Sequence, residues 1–187
     1  MYEKLIPGTS IPFSEDQRSF SYFLPLIQVT DGLTLSQVCT ITSLETSTIQ
    51  NWVKRGFVPR PLNKKYRERH LARILLISAL KDTMPIDRVG ELLSYINGNT
   101  EDESDDIISE EMLYDIFCSL SSKLSDQILS EDEVYQLIEK ECQDYEPPDV
   151  HSLLRLRQAL AVMLYAYTAA IFKKKSEEEF SKLSEIN

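Results

Sequence analysis

Thr46 to Tyr66 reads TSTIQNWVKRGFVPRPLNKKY. At helical spacing its first nine residues put Ile49, Trp52 and Val53 on one side and Ser47, Gln50, Asn51 and Lys54 on the other. That is a short amphipathic helix with an apolar underside and an amide-rich, uncharged-to-basic outer face. Gly56 supplies the positive φ that ends a helix at low steric cost. Pro59 and Pro61 forbid its resumption, and Asn63 to Lys65 offers a turn between two short extended pieces. The stretch is a helix, a stop and a basic hairpin-like loop.

The flanks fit around it. Upstream, Thr34 and Gln37 have the T-x-x-Q spacing that satisfies the orphan amides of a helix start, and Leu35, Val38 and Ile41 follow on one face. Downstream, Leu71, Ile74, Leu75, Ile77 and Leu80 cover a wide face, as in a central helix over about Glu68 to Lys81. Pro85 can open a further helix with Ile86, Val89, Leu92, Leu93 and Ile96 inward, stopped by Asn97-Gly98-Asn99. Residues 32–98 are read as one unit.

Residues 1–31 hold Pro7, Pro12 and Pro25 with the aromatics Phe20, Tyr22 and Phe23, and are read as an arm packed on that unit, with one short helix near Asp16 to Phe23. Five of the six residues from Glu101 to Asp106 are acids, so residues 99–108 are read as a solvated linker. Residues 109–187 are read as an all-helical domain for dimerisation or sensing. Leu113, Ile116, Phe117, Leu120 and Leu124 mark one helix, and Ser130 with Glu133 forms a second capping box before Val134, Leu137 and Ile138. After Pro147-Pro148 a last helix runs over about Val150 to Lys174, apolar nearly all round from Leu160 to Phe172, with Lys173 to Lys175 complementing its carboxyl end. Such surplus apolar surface points to packing on the rest of the chain or to self-association.

The formal charge of −10 is unevenly placed. Residues 1–32 carry 2 basic and 4 acidic groups, residues 33–93 carry 10 and 5, and residues 94–187 carry 8 and 21. Eight of the positive groups fall between Lys54 and Arg73, against the single acid Glu68. A positive island in an acidic chain suits phosphate contact, in which cations supply affinity and side chains at base edges supply specificity. Gln50 and Asn51 are of the type that pairs bidentately with adenine. The competing reading is a solvated basic surface that balances the acidic half of the chain.

Other classes find little support. There is no glycine-rich phosphate loop with lysine, no G-x-S-x-G and no H-E-x-x-H, and the histidines, His70 and His151, lack catalytic companions. No catalytic residue, metal ligand or cofactor is expected. Cys39, Cys118 and Cys142 are too widely spaced for a metal set and read as reduced thiols. The best apolar run, Ala159 to Phe172, is 14 residues and is preceded by Arg155 and Arg157, short of a membrane span.

From Leu33 to Leu93 the chain resembles the DNA-binding domain of the MerR family. Trp52 falls at that family's helix aromatic, Gly56-Phe57-Val58 at its glycine and apolar exit, Lys64 and Tyr66 at the wing's arginine and tyrosine, and Leu71, Arg73 and Ile74 at the start of the next helix. His70 stands where the family has an acid, Glu45 where it has a usual capping residue, the wing is proline-rich, and the family's long dimerising helix is not evident after the domain. The resemblance implies a winged helix-turn-helix, with Gln50 and Asn51 at base edges and Lys54, Lys64 and Tyr66 at phosphates. With the rest of the basic segment, the expected interface is Ser47, Gln50 and Asn51 for bases and Lys54, Arg55, Arg60, Lys64, Lys65, Tyr66 and Arg67 for phosphates. The expectation is a mainly α bacterial, cytoplasmic regulator of transcription acting on double-stranded DNA, homodimeric through its C-terminal helices, with no membrane partner and with room for a small-molecule effector. The alternatives are a protein–protein interaction module or an accessory architectural DNA binder on the same winged fold.

Overall fold

A computed structural model describes residues 5–12, 20–124 and 129–183. Among them the chain is mainly helical, with isolated bridges in place of strands. A 3-10 turn at Phe20–Tyr22 leads into α1 (Leu24–Val29), then α2 (Leu35–Thr42), α3 (Thr46–Lys54), α4 (Glu68–Leu80), α5 (Ile86–Asn97), α6 (Glu110–Lys123), α7 (Glu131–Glu141) and α8 (Ser152–Leu183). Of the short helix expected near Asp16, residues 16–19 lie outside the described residues; Phe20–Tyr22 is a single 3-10 turn.

Local chemistry sets most of these boundaries. Thr34 and Gln37 form the expected reciprocal cap, the Thr34 amide donating to Gln37 Oε1 at 2.8 Å. Ser130 and Glu133 do the same for α7. Ser109 caps α6 through the Met112 amide, and Asp149 accepts from the Ser152 amide at the start of α8. Gly56 ends the α3 segment at φ +78°.

The core centres on α4, whose residues from Leu71 to Ile77 are all buried. α4 packs against α6, α8 and α5 and also against α2, which in turn packs against α3. Buried side chains from Ile6 to Leu164 form one continuous cluster. The expected boundary at residues 99–108 therefore separates two regions of sequence but not two cores, because α4 is too apolar for the first 98 residues to cover alone. Nor is the acidic stretch solvated throughout: Ile107 and Ile108 are buried.

The arm joins the two halves. Pro7 accepts a 2.8 Å bond from the buried Tyr114 hydroxyl on α6, the Ser10 amide donates to the Ile41 carbonyl, and Gly8 lies against the Leu75 carbonyl where a Cβ would come within 2.1 Å. Phe20 meets Tyr114 edge-on at 6.1 Å.

α8 departs from expectation. It continues nine residues past Lys174, so Lys173 to Lys175 lie in its interior and not at its carboxyl end. It is also buried only on one side: Val162 and Tyr165 are 43% and 46% exposed. Tyr167 faces inward, its ring 5.5 Å from Phe117. Among the described residues no helix is long and apolar enough to cross a membrane.

Candidate nucleic-acid interface

α3 buries Ile49 and Trp52, and this places Ser47, Gln50, Asn51 and Lys54, at i, i+3, i+4 and i+7, together on its exposed face. Glu45 stands at the N-cap without a side-chain bond to the helix, so no cap reaches across the first turn. Val58, fully buried, seats the chain after Gly56, and the Phe57 carbonyl is held at 2.7 Å by Arg73 Nε. Gly90 on α5 admits the Phe57 ring; a Cβ there would approach it to 2.6 Å.

The loop after α3 is a tight hairpin-like turn, at the place where the resemblance implies a wing. Asn63 and Lys64 both have positive φ, 51° and 63°, and the Lys65 amide donates to the Leu62 carbonyl at 2.8 Å, the geometry of a mirror-image hairpin turn. Leu33 and Tyr66 exchange a pair of 2.8 Å bonds that fix the returning limb to the segment before α2. The expected hairpin is reduced to its turn and this bridge, since Pro59 and Pro61 remove the amides a longer ladder requires.

The residues expected at phosphates divide into three groups. Lys54, Lys64 and the Arg60 side chain are exposed and carry no ion pair among the described residues. Arg55 and Arg67 are exposed but paired: Arg55 with Asp87 at 2.6 Å while stacked 4.6 Å over Phe57, and Arg67 with Asp31 at 2.9 Å. Surface pairs of this kind are worth at most ~1 kcal/mol and exchange readily for a phosphate. Lys65 and Tyr66 do not fit the expected role. The Lys65 ammonium donates to the carbonyls of Thr30 and Gly32 at 2.8 and 3.0 Å, which commits it to holding the wing base. Tyr66 is only 4% exposed, its ring edge-on to His70, and burial raises its hydroxyl pKa. Tyr66 is a core residue because the Leu33 bridge turns it inward.

Two features of the site were not read from the sequence. His70 holds the wing to α4: its Nδ1 accepts from the Arg67 amide at 3.2 Å, so its Nε2 donates to the Arg60 carbonyl at 3.1 Å. Burial, its largest influence, pushes the imidazole pKa down and favours this neutral form. The acidic segment, in turn, docks against the wing base. Glu101 accepts from the Arg60 amide at 3.1 Å, and Glu103 pairs with Arg69 at 2.9 Å. Asp106 lies 3.7 Å from Arg69, yet burial outweighs that charge and pushes its carboxyl up to about 6. Glu101, Glu103, Arg60, Arg67, Arg69 and His70 thus line one shallow cleft. The opposite charges of the two segments were the available signal.

Cys118 and Cys142 are buried, with burial pushing their thiols up to about 12 and about 11, and Cys39 is half-buried. Such thiols are poor nucleophiles and poor ligands near neutral pH.

Residues 25–117, from α1 into α6, match the family described as a domain of unknown function, DUF1836. The chain is also 27% identical, over 139 residues, to the Bacillus subtilis (strain 168) protein named Uncharacterized protein YkrK. That similarity covers 68% of this chain and 60% of the relative, so it spans less than two thirds of the relative's length. No solved structure matches the chain.

Proposed function

We propose that this chain is a sequence-specific regulator of transcription that binds double-stranded DNA through a MerR-like winged helix-turn-helix. α3 enters the major groove with Ser47, Gln50 and Asn51 at base edges. Lys54, Arg60 and Lys64 contact phosphates, and Arg55 and Arg67 join them by exchanging Asp87 and Asp31 for the backbone. Lys65, Tyr66 and His70 hold the wing in place. The observation that carries this reading is the α3 surface: two amide side chains flanked by a hydroxyl and a lysine, all exposed, on a helix anchored underneath by Ile49 and Trp52.

An interaction module that uses the same face for an acidic protein is favoured by one observation, the docking of the chain's own acidic segment against Arg60 and Arg69. The two readings separate in a salt titration of DNA binding. If α3 and the wing meet DNA, binding prefers particular sequences, and Lys54→Ala and Lys64→Ala each flatten the slope of log affinity against log salt by about 0.9. Weak binding that is blind to sequence and indifferent to both substitutions would favour the interaction module.

A further inference from the structure

The loop between α5 and α6 has its two ends tied together. Asn97 Oδ1 accepts from the Ile108 amide at 3.4 Å, both residues being buried, and the Tyr145 hydroxyl donates to the Ile107 carbonyl. The chain therefore leaves α5 and rejoins the core within reach of one side chain, in the manner of an Ω-loop. Gly98 makes the turn outward at φ +55°. Between these ends residues 99–106 hold no apolar side chain, and Glu101 to Asp105 are all exposed. Apolar burial does not decide where this loop rests.

Polar contacts decide it, and they run to one place, the base of the turn after α3. Thr100 Oγ1 donates to the Gly56 carbonyl at 3.1 Å, and Glu101 accepts from the Arg60 amide at 3.1 Å. Arg69 donates to Glu103 at 2.9 Å and to the Asp102 carbonyl at 3.3 Å. A backbone amide beside a guanidinium, each holding an anionic oxygen, is also the donor set that holds phosphate oxygens along a DNA backbone. Arg69 has a donor to spare, since its Nε is buried and lacks a partner among the described residues. Arg60 and Arg67 line the same cleft, with their side chains exposed.

We propose that the α5–α6 loop is an intramolecular stand-in for the DNA backbone: Glu101 and Glu103 rest on a phosphate site made of the Arg60 amide and the Arg69 guanidinium, and yield it to DNA. In this reading, which rests on DNA binding through α3, Arg69 becomes a further phosphate contact and the loop a restraint on the whole interface. Glu103 is 71% exposed, so solvent screens its pair with Arg69 and exchange for a phosphate is easy. The tied ends let the loop leave without disturbing Asn97 or Ile108. While docked, it sets carboxylates among the cations that phosphates must reach, which weakens binding to every sequence alike. Binding is then retained where α3 adds base contacts.

The test compares the wild-type full chain with two variants. Glu101→Gln with Glu103→Gln removes two charges that lie on the site. Asp102→Asn with Asp105→Asn removes the same charge from the same loop, but from side chains whose hydrogen bonds go to Ser104 and Asn99 within it. Each is titrated with a short random-sequence duplex across a range of salt, and circular dichroism confirms that each is folded. The first variant binds at least about tenfold tighter than wild type, and the second stays within about twofold of it. Arg69→Gln, added to the first variant, flattens the slope of log affinity against log salt by about 0.9. Amide hydrogen exchange over residues 99–106 quickens when wild type takes up the duplex. Equal affinities for wild type and the first variant, an equal gain in the second, an unchanged slope or unchanged exchange would each overturn the inference while leaving DNA binding in place. Failure of all these proteins to bind the duplex would remove the DNA-binding reading and this inference together.

Discussion

Arg73 on α4 and Glu110 on α6 form an ion pair in which each side chain is only 1% exposed. Arg73 Nε also holds the Phe57 carbonyl at the exit from α3, so one guanidinium ties the candidate interface to the second half of the chain. The pair is incompletely satisfied, with Arg73 Nη2 and Glu110 Oε2 buried and lacking partners among the described residues. Removing one charge leaves the other buried alone. Glu110→Ala should destabilise the protein by about 3 to 5 kcal/mol, while Arg73→Met with Glu110→Leu should cost far less. Denaturant unfolding of the three proteins checks this; equal losses for single and double substitution would show that the pair itself is a net source of stability.

Tyr66 separates the architecture of the wing from its contacts. Because its ring is buried against His70, Tyr66→Ala should destabilise the fold by about 3 to 5 kcal/mol through the cavity it leaves. Tyr66→Phe keeps the ring and should retain DNA affinity and salt slope. If Tyr66→Phe lowered the slope as Lys64→Ala does, its hydroxyl would belong at a phosphate after all.

His70 and Asp106 give the cleft opposing responses to pH. The imidazole pKa is lowered in the folded protein, so its contribution is full above the unfolded value near ~6.5 and is lost as pH falls from there through the lowered folded value. The Asp106 carboxyl is raised to about 6, so its contribution is absent above that pH, grows as pH falls, and is complete below its unfolded value near ~3.9. Unfolding midpoints measured from about pH 7.5 to 4.5 should therefore show wild type losing ground to His70→Gln on acidification and gaining ground on Asp106→Asn. Curves that stay parallel would mean that neither group titrates differently on folding.

Much of the fold was legible because short-range rules wrote it. Both capping boxes, the Gly56 stop and the turn at Asn63 and Lys64 follow from residue chemistry within a few positions. The helical spacing of Ile49 and Trp52 likewise fixed which face of α3 is outward. What was missed depends on long-range pairing. A basic residue in a basic run looks the same whether it reaches solvent, as Lys64 does, closes on backbone carbonyls, as Lys65 does, or is buried with an acid 37 positions away, as Arg73 is. The acidic segment reads as solvated for the same reason, since its partners Arg60 and Arg69 lie 41 and 34 positions back in the chain. The far end of α8 is hidden in the sequence because Lys173 to Lys175 look like the cationic last turn of a helix, whereas the helix runs on through Glu177 to Glu179 to Leu183.

The most direct measurement is selection of fragmented genomic DNA by the purified full chain, with Gln50→Ala and Asn51→Ala selected in parallel. The account predicts that wild type enriches a defined set of sites sharing a motif, and that each substitution relaxes the preference at one position of that motif by about 1 to 3 kcal/mol. Recovery of unenriched DNA by wild type, or the same motif unchanged in both variants, would contradict the placement of α3 in the major groove.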